Sequence, residues 1–346
     1  MRAPSIHIAF LVPAPISAIS GGYGYDRRII AELRAVGHTI DILEIAGRHP
    51  LPDDVGRASA RAAWDAMAPD ALPVIDGLGL PAFDGIIDRH AIGLIHHPTS
   101  LEAGFSGPDT QALADIEKRI LPALAGCIVT SDTTAETLAK DFAVQHIASV
   151  VPGTDPAPRC PGSGTATCQI IAIGALIPRK GHELLLRALA RLFDLDWHLT
   201  IAGGAPDPVH AATLQNLAED LNIAQRVHFA GTLTGDALES LWQGADVFAL
   251  ATQYEGYGMA IAEALKRGLP VAITNGGAAA ALVPVEAGVV CEVGDLVTYS
   301  KALRRVIFDT ELRAEMAQVA WTAGQALPGW PAQGVAFAAA LEKLSK

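Results

Sequence analysis

Basic side chains are scarce in this sequence. Its 346 residues carry 25 Lys and Arg against 37 Asp and Glu, a formal charge of -12. A nucleic-acid binder presents a basic face, so composition argues against that class. The first 150 residues repeat the imbalance, with 11 Lys and Arg against 18 Asp and Glu, and show no docking surface for anionic lipid. Cysteine is scarce too. Cys127, Cys160, Cys168 and Cys291 have neither the paired spacing of a metal site nor the density of a disulfide framework, and they read as reduced thiols of a cytoplasmic protein. No apolar run approaches the roughly 20 residues that span a bilayer. The stretch Ile6–Val12 is short, interrupted by Pro13 and Pro15 and preceded only by Arg2, so it reads as a buried strand and not as an export signal. No G-x-G-x-x-G follows that strand, because Gly22-Tyr23-Gly24 runs into Tyr25-Asp26-Arg27; this argues against an NAD-dependent dehydrogenase. Internal repeats and low-complexity tracts are missing as well.

What is present is an apolar half of the chain and a length that suits two domains of about 150–180 residues. Short apolar strands alternate with amphipathic helices, twice over. In the first half, strands are expected at Ile6–Val12, Thr39–Glu44, Leu72–Asp76, Ile92–His96, Gly126–Thr130 and Ile147–Val151. Helices fit Tyr25–Val36, Thr110–Leu124 and Asp132–Phe142, with Gly37 as a C-cap and Ser131 as an N-cap. A segment dense in turn formers, Pro152 to Gly164, then reads as a linker. The second alternation runs from strand Cys168–Ile173 through helix His182–Phe193 to helix Glu311–Gln325. The expected organisation is α/β: a doubly wound, Rossmann-like domain over residues 1–152, a linker over 153–168 and a second such domain over 169–328. A helix in 329–346 is expected to cross back to the first domain. Ligands bind outside the carboxyl ends of parallel strands, so two such domains are expected to face a central cleft.

Glu255-Gly-Tyr-Gly-Met-Ala-Ile-Ala-Glu263 is the most informative segment. Two carboxylates flank a glycine-rich turn that opens a helix. Gly256 and Gly258 remove side chains where the amides around Tyr257, Gly258 and Met259 point at an anion. A helix N-terminus with bare amides favours phosphate, and carboxylates suit sugar and ribose hydroxyls. Upstream, Arg179 and Lys180 stand where a strand end enters a helix. Two cations there would neutralise a diphosphate leaving group; the bland alternative is a solvated helix start. Asp194-Leu195-Asp196 spells a D-x-D but reads as a polar turn, and no metal is expected.

Together these segments resemble the retaining glycosyltransferases of family 4, which have the GT-B fold. The resemblance is carried by Pro178-Arg179-Lys180-Gly181, Gly203-Gly204, Val227-His-Phe-Ala-Gly231, the Glu-x7-Glu pair, and Gly21-Gly22-Tyr23-Gly24 before a helix ending at Gly37-His38. It spans nearly the whole chain and is strongest over 170–275. It implies a catalytic set of His96, Glu255, Arg179 and Lys180. Glu263 would hold the ribose, Gly21 and Gly22 would approach the phosphates, and Gly203, Thr232 and Leu233 would lie along the donor, the last two near its base. At the strand end His96-His97, alignment favours His96 for contact with the donor sugar and leaves His97 open. One departure stands out: family members commonly carry an arginine where this chain has Ala175.

The implied activity is metal-independent, cofactor-free transfer of a hexose from a nucleoside diphosphate sugar to an acceptor hydroxyl. The anomeric configuration would be kept. The alternatives are a non-catalytic nucleotide-sugar-binding protein, suggested by Ala175, and a nucleotide-sugar epimerase of the same architecture. The acidic first half favours a small soluble acceptor over an anionic lipid.

Overall fold

The computed structural model describes residues 5–102 and 104–346; Arg2, weighed above for export, lies outside them. The chain divides into two compact units, Met1–Gly153 with Pro328–Lys346, and Thr154–Leu327. No helix among the described residues is long and apolar enough to cross a membrane.

The first unit holds a six-stranded parallel sheet: β1 (His7–Pro13), β2 (Thr39–Ile45), β3 (Leu72–Asp76), β4 (Ile92–Ile95), β5 (Gly126–Val129) and β6 (Ile147–Ser149). Their order is β2-β1-β3-β4-β5-β6. Helices α1 (Gly21–Val36), α2 (Asp54–Ala66), α3 (Gly107–Ile120) and α4 (Asp132–Asp141) cross over between strands. β1, β3 and β4 are central and almost wholly buried, which explains their continuous apolar character.

The second unit holds β7 (Cys168–Ile173), β8 (Trp197–Ala202), β9 (Val227–Gly231), β10 (Val247–Leu250), β11 (Val271–Thr274) and β12 (Gly288–Cys291). The intervening helices are α5 (His182–Ala190), α6 (Pro208–Asp220), α7 (Gly235–Gln243) and α8 (Met259–Lys266). Helices α9 (Leu296–Phe308) and α10 (Thr310–Ala326) follow, and α11 (Trp330–Leu344) belongs to the first unit. The sheet order β12-β11-β10-β7-β8-β9 is the doubly wound arrangement, with its switch point between β7 and β10. Successive strand residues feed opposite cores. Ile170, Ala172, Val247 and Ala249 pack with Leu185, Trp197 and Tyr299, whereas Ile171, Phe248 and Leu250 pack with Trp242, Ile261 and Leu265.

The capping expectations hold. Ser131 accepts a hydrogen bond from the Thr134 amide, and Gly37 closes α1 in the left-handed region. Four expectations need correction. Gly21–Gly24 do not precede a helix; they are its first turn, with Ser20 as the N-cap. Helix α2 escaped notice because its buried stripe is Gly56, Ala60 and Trp64, two of which are too small to register as apolar periodicity. Helix α3 starts at Gly107, before the expected Thr110, because Ser106 accepts from the Asp109 amide and caps it there. The supposed linker is stitched down over much of its length: the Cys160 amide donates to Arg267 O, Cys160 Sγ donates to Trp242 O, and the Ser163 amide and hydroxyl donate to Asp246.

The β7 and β8 turns approach closely. A Cβ on Gly203 would fall 1.9 Å from Gly174 O, which leaves no room for any side chain. Gly203→Ala should therefore push the 174–180 segment away from β8 and lower stability by about 1–3 kcal/mol, read as a drop in the urea midpoint at unchanged slope.

Candidate functional site

In the second unit the site grows from the two strands at the switch point. After β7 the chain makes a short 3-10 turn, Pro178–Lys180, before Gly181 opens α5. After β10 it runs through Thr252 to Glu255. The two segments are tied by a hydrogen bond from the Gln253 amide to Arg179 O (2.7 Å). Arg179 Nη1 donates to Tyr254 O (2.7 Å) and lies 3.7 Å from Glu255 Oε1. Lys180 Nζ donates to the same Oε1 at 2.6 Å, and Thr252 Oγ1 stands 3.0 Å from it. The side chains of Arg179, Lys180 and Glu255 are only 14%, 15% and 8% exposed, which rules out the solvated helix-start reading. Burial pushes the Glu255 carboxyl up, but the charges of Lys180 and Arg179 and the hydrogen bonds from Lys180 and Thr252 outweigh it. The pKa settles below the ordinary glutamate value. Two cations and one carboxylate thus gather just ahead of α8 in the chain. That helix begins at Gly258, whose φ of 106° suits glycine, and no side chain caps its first amides. The combination can hold an anion.

The backbone of Glu255 is held by a turn that sequence reading missed. Its amide donates to Gly276 O, its carbonyl accepts from the Ala278 amide, and it forms a parallel bridge to Gly277. A Cβ on Gly277 would fall 2.3 Å from Glu255 O. The signal was the pair Gly276-Gly277, one residue after the end of β11.

Gly256, Tyr257 and Gly258 are buried and Met259 is half-buried. Glu263 sits on α8, half-buried. Burial raises its pKa to about 7; Arg267 opposes the rise and Asp155 adds to it. Gly203 has a packing role, at the close approach to Gly174. Thr232 follows β9, exposed, with its Oγ1 lying 3.1 Å from where a Cβ on Gly204 would stand, and Leu233 is half-buried. At Ala175, where the resemblance leads one to expect arginine, the carbonyl lies 3.2 Å from His182 Nε2. Burial lowers the pKa of that histidine to about 4, so the neutral ring donates its Nε2–H to the carbonyl. Asp194 accepts two hydrogen bonds from Arg304, and Asp196 accepts one from Thr167 Oγ1.

In the first unit, His96 follows β4 and its Nε2 lies 3.1 Å from Asp26 Oδ1 and 3.3 Å from Asp76 Oδ2. Neither aspartate was singled out from the sequence. Both carboxylates are buried, at 0% and 4% side-chain exposure. Burial works against the charge on His96, but the two aspartates raise its pKa to about 10. Burial and Asp76 together raise Asp26 to about 7. Gly22 lies over the ring, where a Cβ would come 3.3 Å from His96 Cδ2. His97 Nε2 lies 3.5 Å from Glu102 Oε2. The donor atoms of Asp26, Asp76 and His96 lie within 4.8 Å of one another. One imidazole N–H within hydrogen-bond reach of both oxygens accounts for them as an ion cluster.

Residues 162–321 match the family model described as glycosyl transferases group 1. A D-inositol 3-phosphate glycosyltransferase of Corynebacterium diphtheriae is 33% identical over 175 residues, 48% of this chain and 40% of that protein. The chain spans about half the length of the curated relatives it matches, covering 40%, 57% and 59% of three of them. Among solved structures, a sucrose-phosphate synthase from Thermosynechococcus elongatus has a TM-score of 0.82 at 19% identity, covering 98% of this chain and 99% of that one. Anabaena HepE, solved with UDP and glucose, has a TM-score of 0.76 at 16% identity, covering 97% and 99%. These likenesses establish the GT-B fold.

Glu263 supplies a pH test. Its folded pKa of about 7 lies above the ordinary 4.5, so the fold prefers the neutral carboxyl. The resulting penalty is absent below the lower value, grows between the two and is complete above about 7. Glu263→Gln should raise stability by about 1–2 kcal/mol at alkaline pH and leave it unchanged near pH 4. Denaturant melts at the two pH values check this.

Proposed function

We propose that this chain transfers a hexose from a nucleoside diphosphate sugar to an acceptor hydroxyl with retention of configuration, as a family 4 glycosyltransferase. The observation that carries the reading is the buried Lys180–Glu255–Arg179 cluster beside the uncapped start of α8, inside the region matched to group 1 glycosyl transferases. On this reading Lys180, Arg179 and the amides of Tyr257–Met259 bind the diphosphate and stabilise the charge that builds on it as the glycosidic bond breaks. No resident metal is required for that task. Glu255, fixed as a carboxylate, stands beside the reacting sugar, and Glu263 accepts hydrogen bonds from the ribose. The family resemblance also assigns His96, Gly21 and Gly22 to donor contacts. The relative from C. diphtheriae is named for D-inositol 3-phosphate, a phosphorylated polyol, and HepE was solved with UDP and glucose. The UDP complex agrees with a nucleotide-sugar donor.

The test is nucleoside diphosphate release from UDP-glucose and GDP-mannose across a panel of small polyols, sugar phosphates and lipid acceptors. Release that depends on acceptor, survives EDTA and falls at least about a hundred-fold in Glu255→Gln is expected. Lys180→Met should chiefly weaken UDP or GDP binding, by about ten-fold or more, as expected for loss of a charged hydrogen bond. An altered sugar nucleotide formed without acceptor would instead identify an epimerase. Tight donor binding with no consumption would identify a binding protein.

A further inference from the structure

The contacts around His96 account for most of its ring. Its Nε2 edge meets Asp26 and Asp76. One face lies under Gly22, with no space for a Cβ at ordinary contact distance. The Tyr25 ring packs against it edge-on, with centroids 5.3 Å apart, and Tyr25 is itself anchored by donation from its hydroxyl to Val150 O (2.9 Å). Thr130 Oγ1 donates to His96 O and holds the backbone. The side chain is nevertheless 19% exposed, and Nδ1 makes no hydrogen bond to any described residue.

We propose that Asp26 and Asp76 are positioning residues that hold His96 by its Nε2–H, so that a charged ring meets the donor sugar or phosphate through Nδ1–H. The proposal rests on the reading of His96 as a donor-site residue and extends it to two aspartates that the family resemblance did not mark. The charge argument is local. Two buried carboxyls face one imidazole: with Asp26 neutral, below about 7, a doubly protonated ring balances the charge of Asp76, and above that value it halves the cluster's negative charge. The second proton belongs on Nδ1, which turns the outward nitrogen from an acceptor into a charged donor. The other titratable groups packed nearby are the Tyr23 and Tyr25 phenols on α1, which burial keeps neutral, and His97 with its partner Glu102. Gly22 gains a second reason for being glycine: a side chain there would press on the ring that the aspartates align.

The test is an NMR titration of the His96 imidazole, assigned with His96→Gln, in the wild type, Asp26→Asn and Asp76→Asn. Wild-type His96 should stay doubly protonated from about pH 5.5 to 8.5, outside the usual histidine range. Each asparagine variant should lower its midpoint by about one unit or more. In parallel, calorimetry with UDP-glucose and GDP-mannose should show wild-type affinity flat over that range. The variants should match it at the acidic end and fall about five-fold or more at the alkaline end. Titration of wild-type His96 near 6.5 overturns the proposal. So does an equal loss of affinity at every pH with the His96 midpoint unmoved. If either variant fails to fold, the wild-type titration and the other variant decide. If no sugar nucleotide binds the wild type, the donor reading fails, and the NMR result still judges the aspartates.

Discussion

The pairing of Glu255 with Lys180 and Arg179 is the interaction on which the second unit's site depends. A buried carboxylate is costly unless it is paired and hydrogen-bonded, and here one oxygen has both cations and a threonine hydroxyl around it. The pairing works in both directions. It keeps the acid ionised inside the protein, and it holds two flexible basic side chains at the end of β7.

His96 and its aspartates follow the same physics with the signs exchanged. There the acids are in excess, and the lone base is driven to its charged form. Both clusters sit where parallel strands end: segments after β7 and β10 assemble the one, and Asp76 at the end of β3, His96 just after β4 and Asp26 on α1 assemble the other. Burial supplies the low dielectric that makes each pairing strong, and the sheet supplies the rigidity that keeps the groups in register.

Several glycines do structural work that a functional reading of the sequence obscures. Gly203 is small because the Gly174 carbonyl passes beneath it, and Gly277 because the Glu255 carbonyl does. Gly22 touches a histidine ring. In each case the missing side chain lets a site-bearing segment come close, so packing and function call for the same residue.

Much of the fold was legible in the chain itself. Strands covered on both faces must be apolar throughout, and helix stops such as Gly37 announce themselves by conformational need. The Glu255–Glu263 segment and the Arg179-Lys180 pair were legible too, because local spacing carries their chemistry. Helix α2 was not, since a stripe of glycine and alanine has no hydrophobic signature. Nor was the anchoring of the segment after Gly153, which bonds to Trp242, Asp246 and Arg267, more than 80 positions downstream. The electrostatics lay further out of reach. Lys180 meets Glu255 across 75 positions, and His96 meets Asp26 across 70. No local pattern marks an aspartate in the second turn of a helix as the partner of a distant imidazole. Sequence determined which elements form and which residue types are on hand; only the packed sheets decided which charges share a buried space, because burial and proximity are properties of the folded chain.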